Sequence, residues 1–233
     1  MKASDKLCIA LDVPTPERAR VLVAETAGHA GLYKIGSQLF AAGGPDFVRE
    51  LVRDGRRIFL DLKFHDIPNT VASAVAAAAD LGVRFVDVHA SGGAAMIEAA
   101  ARALGSSRHA SQLLAITVLT SHRPETLAEI GVTGSIEENV VRLARLAKDA
   151  GAHGVVASPH EVALVRQACG PAFVIVTPGI RPQGAARGDQ ARAATPSGAI
   201  RAGSDVLVVG RPIIEAPDPK SAALAILREI EAA

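Results

Sequence analysis

Residues 59–70, FLDLKFHDIPNT, place charged side chains directly after an apolar run. Asp61 and Lys63 lie two positions apart, so on a β-strand their side chains point to the same face. Asp66 follows three residues later. Buried charges must be paired, because burying an unpaired charge is expensive. The segment is therefore either a salt bridge at the mouth of a barrel or the centre of a reaction.

Chemically active residues also follow other apolar runs of the chain. Asp12 ends the first run, Lys34 lies in the second, and TVLTS, TPGIR and GRP end later ones. The opposite ends of the runs carry little of this chemistry. Because active sites of α/β barrels lie at the carboxyl ends of the strands, this asymmetry favours a reaction centre over an isolated ion pair.

The acids near Lys63 indicate which chemistry a lysine could perform here. A network of alternating acids and amines favours the ammonium form of lysine. An ammonium group is a proton donor, whereas a Schiff-base lysine needs an apolar or cationic surrounding that lowers its pKa. The pattern therefore predicts that Lys63 donates a proton rather than acting as a nucleophile.

Eight short apolar runs, separated by helical segments, predict the elements that position these residues. The predicted strands lie near 7–12, 31–36, 58–63, 85–89, 113–118, 154–157, 172–177 and 206–210. Helix starts are marked by Thr15 before Pro16 and by a capping box of Ser135 and Glu138. This alternation predicts one (β/α)8-barrel domain over residues 1–233. A doubly wound sheet is the alternative, but it more often uses five or six strands, and neither GxGxxG after a strand nor GxxxxGK[ST] occurs.

The composition argues against several classes of partner. Aromatic residues make up only 3% of the chain and the net charge is +1, so a base-stacking, basic nucleic-acid surface is not expected. No run approaches the roughly 20 apolar residues of a membrane span, and no signal peptide is evident. The two cysteines, Cys8 and Cys169, have no CxxC spacing. We therefore expect a cytoplasmic protein that binds neither nucleic acid nor membrane.

The loops after the last two strands suggest a phosphate site. Residues 177–196 form a long polar stretch with several Gly and Pro, of the kind that usually serves as a functional loop. Arg181 lies in it, and Gly210 and Arg211 follow the eighth strand, where such barrels often bind phosphate. Alternatively, Arg211 caps a structural carboxylate such as Glu215. Two further arginines in or near the loop are Arg187 and Arg192, and residue type alone does not choose among the three loop arginines.

His65 and His89 raise the possibility of a metal site close to Asp61. No HxH or HExxH spacing occurs, and Lys63 would repel a cation from the same place. We therefore expect no metal. We expect His65 to pack or to support the residues that contact the substrate, and Asp87 and His89 to form hydrogen bonds with neighbouring strand-end backbone rather than to react.

The motifs ALD, YKIG, DLKFHDIPNT, VHASGG, VLTS, TPGIRPQG and VVGRPI, in this order from Leu7 to the final helix, resemble the bacterial orotidine 5'-phosphate decarboxylase family. DxKxxD alone is shared with a wider suprafamily that includes sugar-phosphate decarboxylases and synthases. HDIPNT and TPGIRP make the resemblance more specific.

The resemblance implies a homodimeric (β/α)8 barrel that removes CO2 from orotidine 5'-monophosphate without a cofactor, giving UMP in pyrimidine synthesis. It implies that Lys63 protonates the ring carbon that loses CO2, within a charged network that also contains Lys34, Asp61 and Asp66. Asp61 would lie near the substrate carboxylate.

The resemblance also implies a set of binding residues. They are Asp12 and Lys34 for the ribose hydroxyls, Thr120 or Ser121 for the pyrimidine, Pro178 at the start of a closing loop over 177–196, Arg181, Gln190, Gly210 and Arg211 for the phosphate, and Asp66, Ile67 and Thr70 for the partner subunit's site. Two other functions stay open at this point: a Mg²⁺-dependent sugar-phosphate enzyme, and a barrel that binds a phosphorylated ligand without turnover.

Overall fold

The computed structural model describes residues 2–182 and 193–233, and eight parallel strands form a barrel within these ranges. The strands are β1 (Leu7–Ala10), β2 (Leu32–Gly36), β3 (Ile58–Phe64), β4 (Phe85–His89), β5 (Gln112–Ile116), β6 (Gly154–Val156), β7 (Val174–Thr177) and β8 (Val206–Val209). Each overlaps the run predicted for it. The ladder closes because β1 pairs with both β2 and β8, which excludes the open, doubly wound sheet.

Ten α-helices lie in the described ranges, two more than the eight helical segments predicted. They are α1 (Pro16–Glu25), α2 (Ser37–Arg53), α3 (Pro68–Ala79), α4 (Ala94–Gly105), α5 (Pro124–Glu129), α6 (Ile136–Asp149), α7 (Val162–Cys169), α8 (Pro196–Ala202), α9 (Arg211–Ile214) and α10 (Pro219–Glu231). The two extra helices are the short α5 and α9, each with a proline in its first turn. Proline favours a helix start because its φ is already helical and the first-turn N–H it lacks has no intrahelical partner.

Local capping follows the predicted sequence signals. Thr15 caps α1 by accepting a hydrogen bond from the Arg18 backbone N–H at 3.3 Å. Ser135 and Glu138 form the reciprocal capping box of α6, with hydrogen bonds of 2.8 and 3.1 Å. These caps satisfy N–H groups that have no partner within the helix.

Apolar side chains form two layers around the strands. The larger layer lies between the strands and the outer helices, as in Ile9, Ile35 and Val155. The smaller layer fills the barrel interior and includes Phe59 and Phe85, whose rings meet edge to face at 6.0 Å. The barrel interior is thus filled with apolar side chains, and the charged residues lie next to this layer at the carboxyl end of the barrel.

None of the helices in residues 2–182 and 193–233 is long and apolar enough to cross a membrane.

Candidate active site

Four charged side chains form a continuous chain of ion pairs at the barrel mouth. Lys34 Nζ lies 2.9 Å from Asp12 Oδ1 and 3.2 Å from Asp61 Oδ2. Lys63 Nζ pairs with the other oxygen, Asp61 Oδ1. The structure therefore brings together four of the predicted site residues, which we call the Asp–Lys network.

Strand register explains why these side chains meet. Lys34 of β2 is level with Ala10 of β1 on one side and with Phe59 of β3 on the other. Asp61 is level with Gly36, where a β-carbon would lie only 3.2 Å from Lys34 Nζ. The glycine leaves room for the ammonium group to reach Asp61.

Ion pairing in the network shifts the pKa values of Lys34 and Asp61 in the directions that favour their charged forms. Burial works against the charged form of Lys34, but Asp61 and Asp12 outweigh it and raise the pKa of Lys34 above its ordinary value. Burial alone would raise the pKa of Asp61, whereas Lys34, the neighbouring Asp87 and Lys63 together lower that pKa to about 2. Asp61 is therefore ionised at neutral pH and Lys34 is an ammonium group.

Lys63 is held in an unusual backbone conformation. Its φ is 53°, in the left-handed region, and no other non-glycine residue of the described chain has a positive φ. A non-glycine residue there costs on the order of 1–3 kcal/mol, which surrounding contacts must offset. The pairing of β3 with β4 shifts register between Leu60 and Phe64, so Lys63 sits in an irregular stretch of the strand. Its N–H donates to Asp87 Oδ1 at 2.8 Å.

A cavity of about 180 Å³ opens beside the network. Its lining residues are Lys34, Phe59, Asp61, Lys63, Ile116, Val118, Leu119, Thr120, Val156, Ala157, Ser158, Pro178 and Val208. Thr120 is among them, whereas Ser121 is exposed and does not line the cavity. A mostly apolar lining with a few charged and hydroxyl groups is typical of a site that binds a small molecule.

The predicted phosphate residues lie at the carboxyl ends of β7 and β8. Gly210 follows β8, and a β-carbon there would lie 3.6 Å from Asp12 Oδ2. Arg211 begins α9 directly after it. Past β7, the Arg181 N–H donates to Ala194 O at 2.9 Å, so the described ends of the 177–196 stretch meet at its base.

Three candidate phosphate-binding residues of the 177–196 stretch lie outside the described ranges. Gln190, Arg187 and Arg192 all lie between residues 183 and 192.

Asp66, Ile67 and Thr70 are exposed. Asp66 accepts a hydrogen bond from the Ile67 N–H at 2.6 Å. Among the residues that the structure describes, it forms no ion pair with a lysine of the Asp–Lys network. Ile67 is 67% exposed, an unusual setting for a large apolar side chain. These residues form an exposed segment beside the mouth rather than part of the cavity lining.

Two buried polar residues near the site were not singled out as functional from sequence. Ser158, fully buried just past β6, lines the cavity. Asp87 was expected to bond strand-end backbone, which is confirmed by its hydrogen bond from Lys63, but its contact with Asp61 was not foreseen. The sequence signals that could have identified them are a serine, Ser158, two residues after β6 and an acid, Asp87, within the apolar run of β4.

His65 and His89 pack ring against ring, with centroids 5.5 Å apart. Burial and the neighbouring His65 lower the pKa of His89, which favours its neutral form. Within residues 2–182 and 193–233, no group of three or more His, Cys, Asp or Glu side chains is arranged to hold a metal ion.

The structure defines a protein of the (β/α)8-barrel class that carries a cluster of buried and half-buried charges, the Asp–Lys network, at the carboxyl ends of its strands. Residues 5–226 match the family described as Orotidine 5'-phosphate decarboxylase / HUMPS. The chain belongs to this family.

Individual relatives are similar over nearly the whole chain. A protein of Anaeromyxobacter sp. (strain K) named orotidine 5'-phosphate decarboxylase is 54% identical over 226 residues, covering 97% of this chain and 98% of that protein. One of the same name from Moorella thermoacetica is 52% identical over 237 residues, covering 99% and 94%. The crystal structure of orotidine 5'-phosphate decarboxylase from Lactobacillus acidophilus superposes with a TM-score of 0.86 at 40% identity, covering 96% of this chain and 98% of that one.

Proposed function

We propose that this protein decarboxylates orotidine 5'-monophosphate to UMP and CO2 in pyrimidine biosynthesis, without a metal or organic cofactor. The observation that carries the proposal is the ion pairing of Lys63 and Lys34 with one carboxylate, Asp61, beside a cavity at the barrel mouth. The names of relatives that are more than 50% identical support it.

In the proposed reaction, Lys63 stabilises and then protonates the reacting carbon. The bond between the pyrimidine ring and its carboxylate breaks, its electron pair stays on the ring carbon, and CO2 leaves. An ammonium group beside that carbon stabilises the developing negative charge and then transfers a proton to it. Solvent returns the proton to Lys63.

Asp61 has two functions in this mechanism. It pairs with both lysines, so it holds the proton donor in position. Its carboxylate also lies near the place of the substrate carboxylate, where the repulsion between like charges disappears once CO2 has left. The low pKa of Asp61 supports this role, because the group is charged throughout the neutral range.

The remaining contacts place the substrate across the mouth. Asp12 and Lys34, which are already hydrogen-bonded to each other, would bind the ribose hydroxyls. Thr120 is the better candidate for the pyrimidine contact than Ser121, because it lines the cavity. Pro178 lines it as well, and the proposed closing loop of residues 177–196 would begin there.

The phosphate would lie against Arg181, Gln190, Gly210 and Arg211. Glycine lets a phosphate approach the backbone, and the guanidinium group offers several donors in one plane. Gripping this remote group would supply binding energy for loop closure and for excluding water from the reacting carbon. The meeting of the described loop ends at Arg181 and Ala194 supports a loop based at this site.

The proposal includes a homodimer in which Asp66, Ile67 and Thr70 of one subunit reach the site of the other. The exposure of Ile67 supports a protein–protein contact, since a large apolar side chain is favoured in such an interface. Asp66 would then complete the charged network from across the interface. We also propose a cytoplasmic location, which is consistent with two cysteines that are both free and buried.

The test is turnover of orotidine 5'-monophosphate, followed by its ultraviolet absorbance, with and without EDTA. The proposal predicts equal rates in both conditions. A strict requirement for Mg²⁺ with a sugar phosphate would instead support the other reactions of the wider suprafamily. Nucleotide binding without turnover would support a non-catalytic barrel.

A further inference from the structure

Asp87 is a fully buried acid that the proposed mechanism does not yet use. It lies in β4, level with Leu114 of β5, and its side chain is 0% exposed. A buried carboxyl group is stable only when its oxygens are hydrogen-bonded or its charge is compensated. Its partners therefore indicate what it does.

One oxygen of Asp87 takes the place of a missing strand contact. Leu60 is level with Val86, but the next paired residue of β3 is Phe64, level with Val88. Three residues of β3, 61–63, therefore lie opposite the single residue Asp87 of β4. Lys63 has a φ of 53°, and its N–H donates to Asp87 Oδ1 at 2.8 Å. This hydrogen bond stabilises the backbone conformation from which the Lys63 side chain reaches Asp61.

The other side of the same carboxyl group meets Asp61. Asp87 Oδ2 is buried and has no donor among the described residues. The Asp61 carboxyl group, on the neighbouring strand β3, acts on Asp87 and raises its pKa. Two carboxyl groups can share a hydrogen bond only when one of them carries a proton.

The proton belongs on Asp87. Asp61 is paired with Lys34 and Lys63, which keep it ionised. Burial, and then the charge of Asp61, raise the pKa of Asp87 well above its ordinary value. Asp61 and Lys63, both on β3, are the charged groups that act on Asp87, while its neighbour on β5 is the apolar Leu114.

We propose that Asp87 is a positioning residue which, as a neutral acid, accepts from the Lys63 backbone and donates to the Asp61 carboxylate, so that one side chain fixes both halves of the reacting pair. The inference rests on the proposed function and adds to it a group that does not touch the substrate. It requires a residue that offers one acceptor and one donor at this position, and it does not require a negative charge.

Asp87→Asn and Asp87→Leu form a matched pair for the test. Asn keeps the acceptor and supplies an N–H for Asp61, whereas Leu has a similar size and offers neither. We expect Asp87→Asn to keep most of kcat with the wild-type pH profile. We expect Asp87→Leu to lose about 100-fold in kcat, as for a misplaced catalytic group, with little change in KM because the ribose and phosphate contacts are intact. An Asn variant as impaired as the Leu variant, or a folded Leu variant with wild-type kcat, would overturn the proposal.

An infrared measurement provides a readout that needs neither turnover nor a folded Leu variant. The wild-type protein at neutral pH should show the carbonyl band of a protonated carboxylic acid, shifted by ¹³C-labelled aspartate and absent from Asp87→Asn. Absence of that band from the wild type would refute the neutral acid. A wild type that shows the band but does not turn over orotidine 5'-monophosphate would instead refute the proposed function.

Discussion

Replacing Asp61 with Asn removes the carboxylate that pairs with both lysines at the barrel mouth. The pKa of this group falls from 3.8 to about 2 in the folded protein. At about 1.4 kcal/mol per pKa unit, this fall corresponds to roughly 2–3 kcal/mol of stabilisation. The Asp61 side chain is only 10% exposed, so solvent screens the interaction little. We therefore expect Asp61→Asn to lower the free energy of unfolding at pH 7 by this amount.

Asp12→Asn is the matched control, because it makes the same chemical change to the other partner of Lys34. Asp12 lies closer to Lys34, at 2.9 Å, but its side chain is 55% exposed. Exposed ion pairs contribute about 0.2–1 kcal/mol, so this variant should lose less than half as much stability. The two variants thus separate burial from distance.

The pH dependence follows from the direction of the shift. A carboxyl group whose pKa is lowered on folding stabilises the protein above its unfolded pKa, and this stabilisation is lost as the pH falls through the folded value. The difference between wild type and Asp61→Asn should therefore be constant above about pH 4 and shrink towards pH 2. Urea unfolding at a fixed protomer concentration measures it. An Asp12→Asn variant less stable than Asp61→Asn, or a pH-independent difference, would refute the reasoning.

Three further predictions concern the interface and the substrate contacts. Ile67→Asp should shift the protein from dimer towards monomer in sedimentation experiments, while Ile130→Asp, at a site 62% exposed, should not; equal effects would contradict the assignment of the interface. Thr120→Ala should raise KM for orotidine 5'-monophosphate more than Ser121→Ala does, and the reverse order would move the pyrimidine contact to Ser121. Arg211→Ala should lower kcat/KM for the nucleotide but leave that for orotidine, which has no phosphate, nearly unchanged; an equal loss for both would remove Arg211 from the phosphate site.

Much of the fold could be predicted because its signals are local. Apolar runs that alternate with helical segments predicted the eight strands, and Thr15 and Ser135 cap the helices that their positions indicated. The short helices α5 and α9 were missed, since four to six residues are too few for a helical period to show. The Asp–Lys network was also predictable, because parallel strands bring their carboxyl ends to one rim.

The role of Asp87 could not be predicted from local pattern. It depends on a register shift between β3 and β4 and on the positive φ of Lys63, and both result from tertiary packing. Alternation alone placed Asp61 and Lys63 on one face of a regular strand. The structure keeps their side chains together but takes the Lys63 N–H out of the ladder, and this creates the need for a buried side-chain acceptor.

The most direct test of the proposed mechanism is the rate of CO2 release from orotidine 5'-monophosphate by Lys63→Ala in the presence of EDTA. Loss of the proton donor and of its charge should lower kcat by at least about 10⁴-fold. Lys148→Ala, the same change at an exposed position of α6, should retain the wild-type rate. A folded Lys63→Ala protein that releases CO2 at the wild-type rate would contradict the assignment of Lys63 as the proton donor.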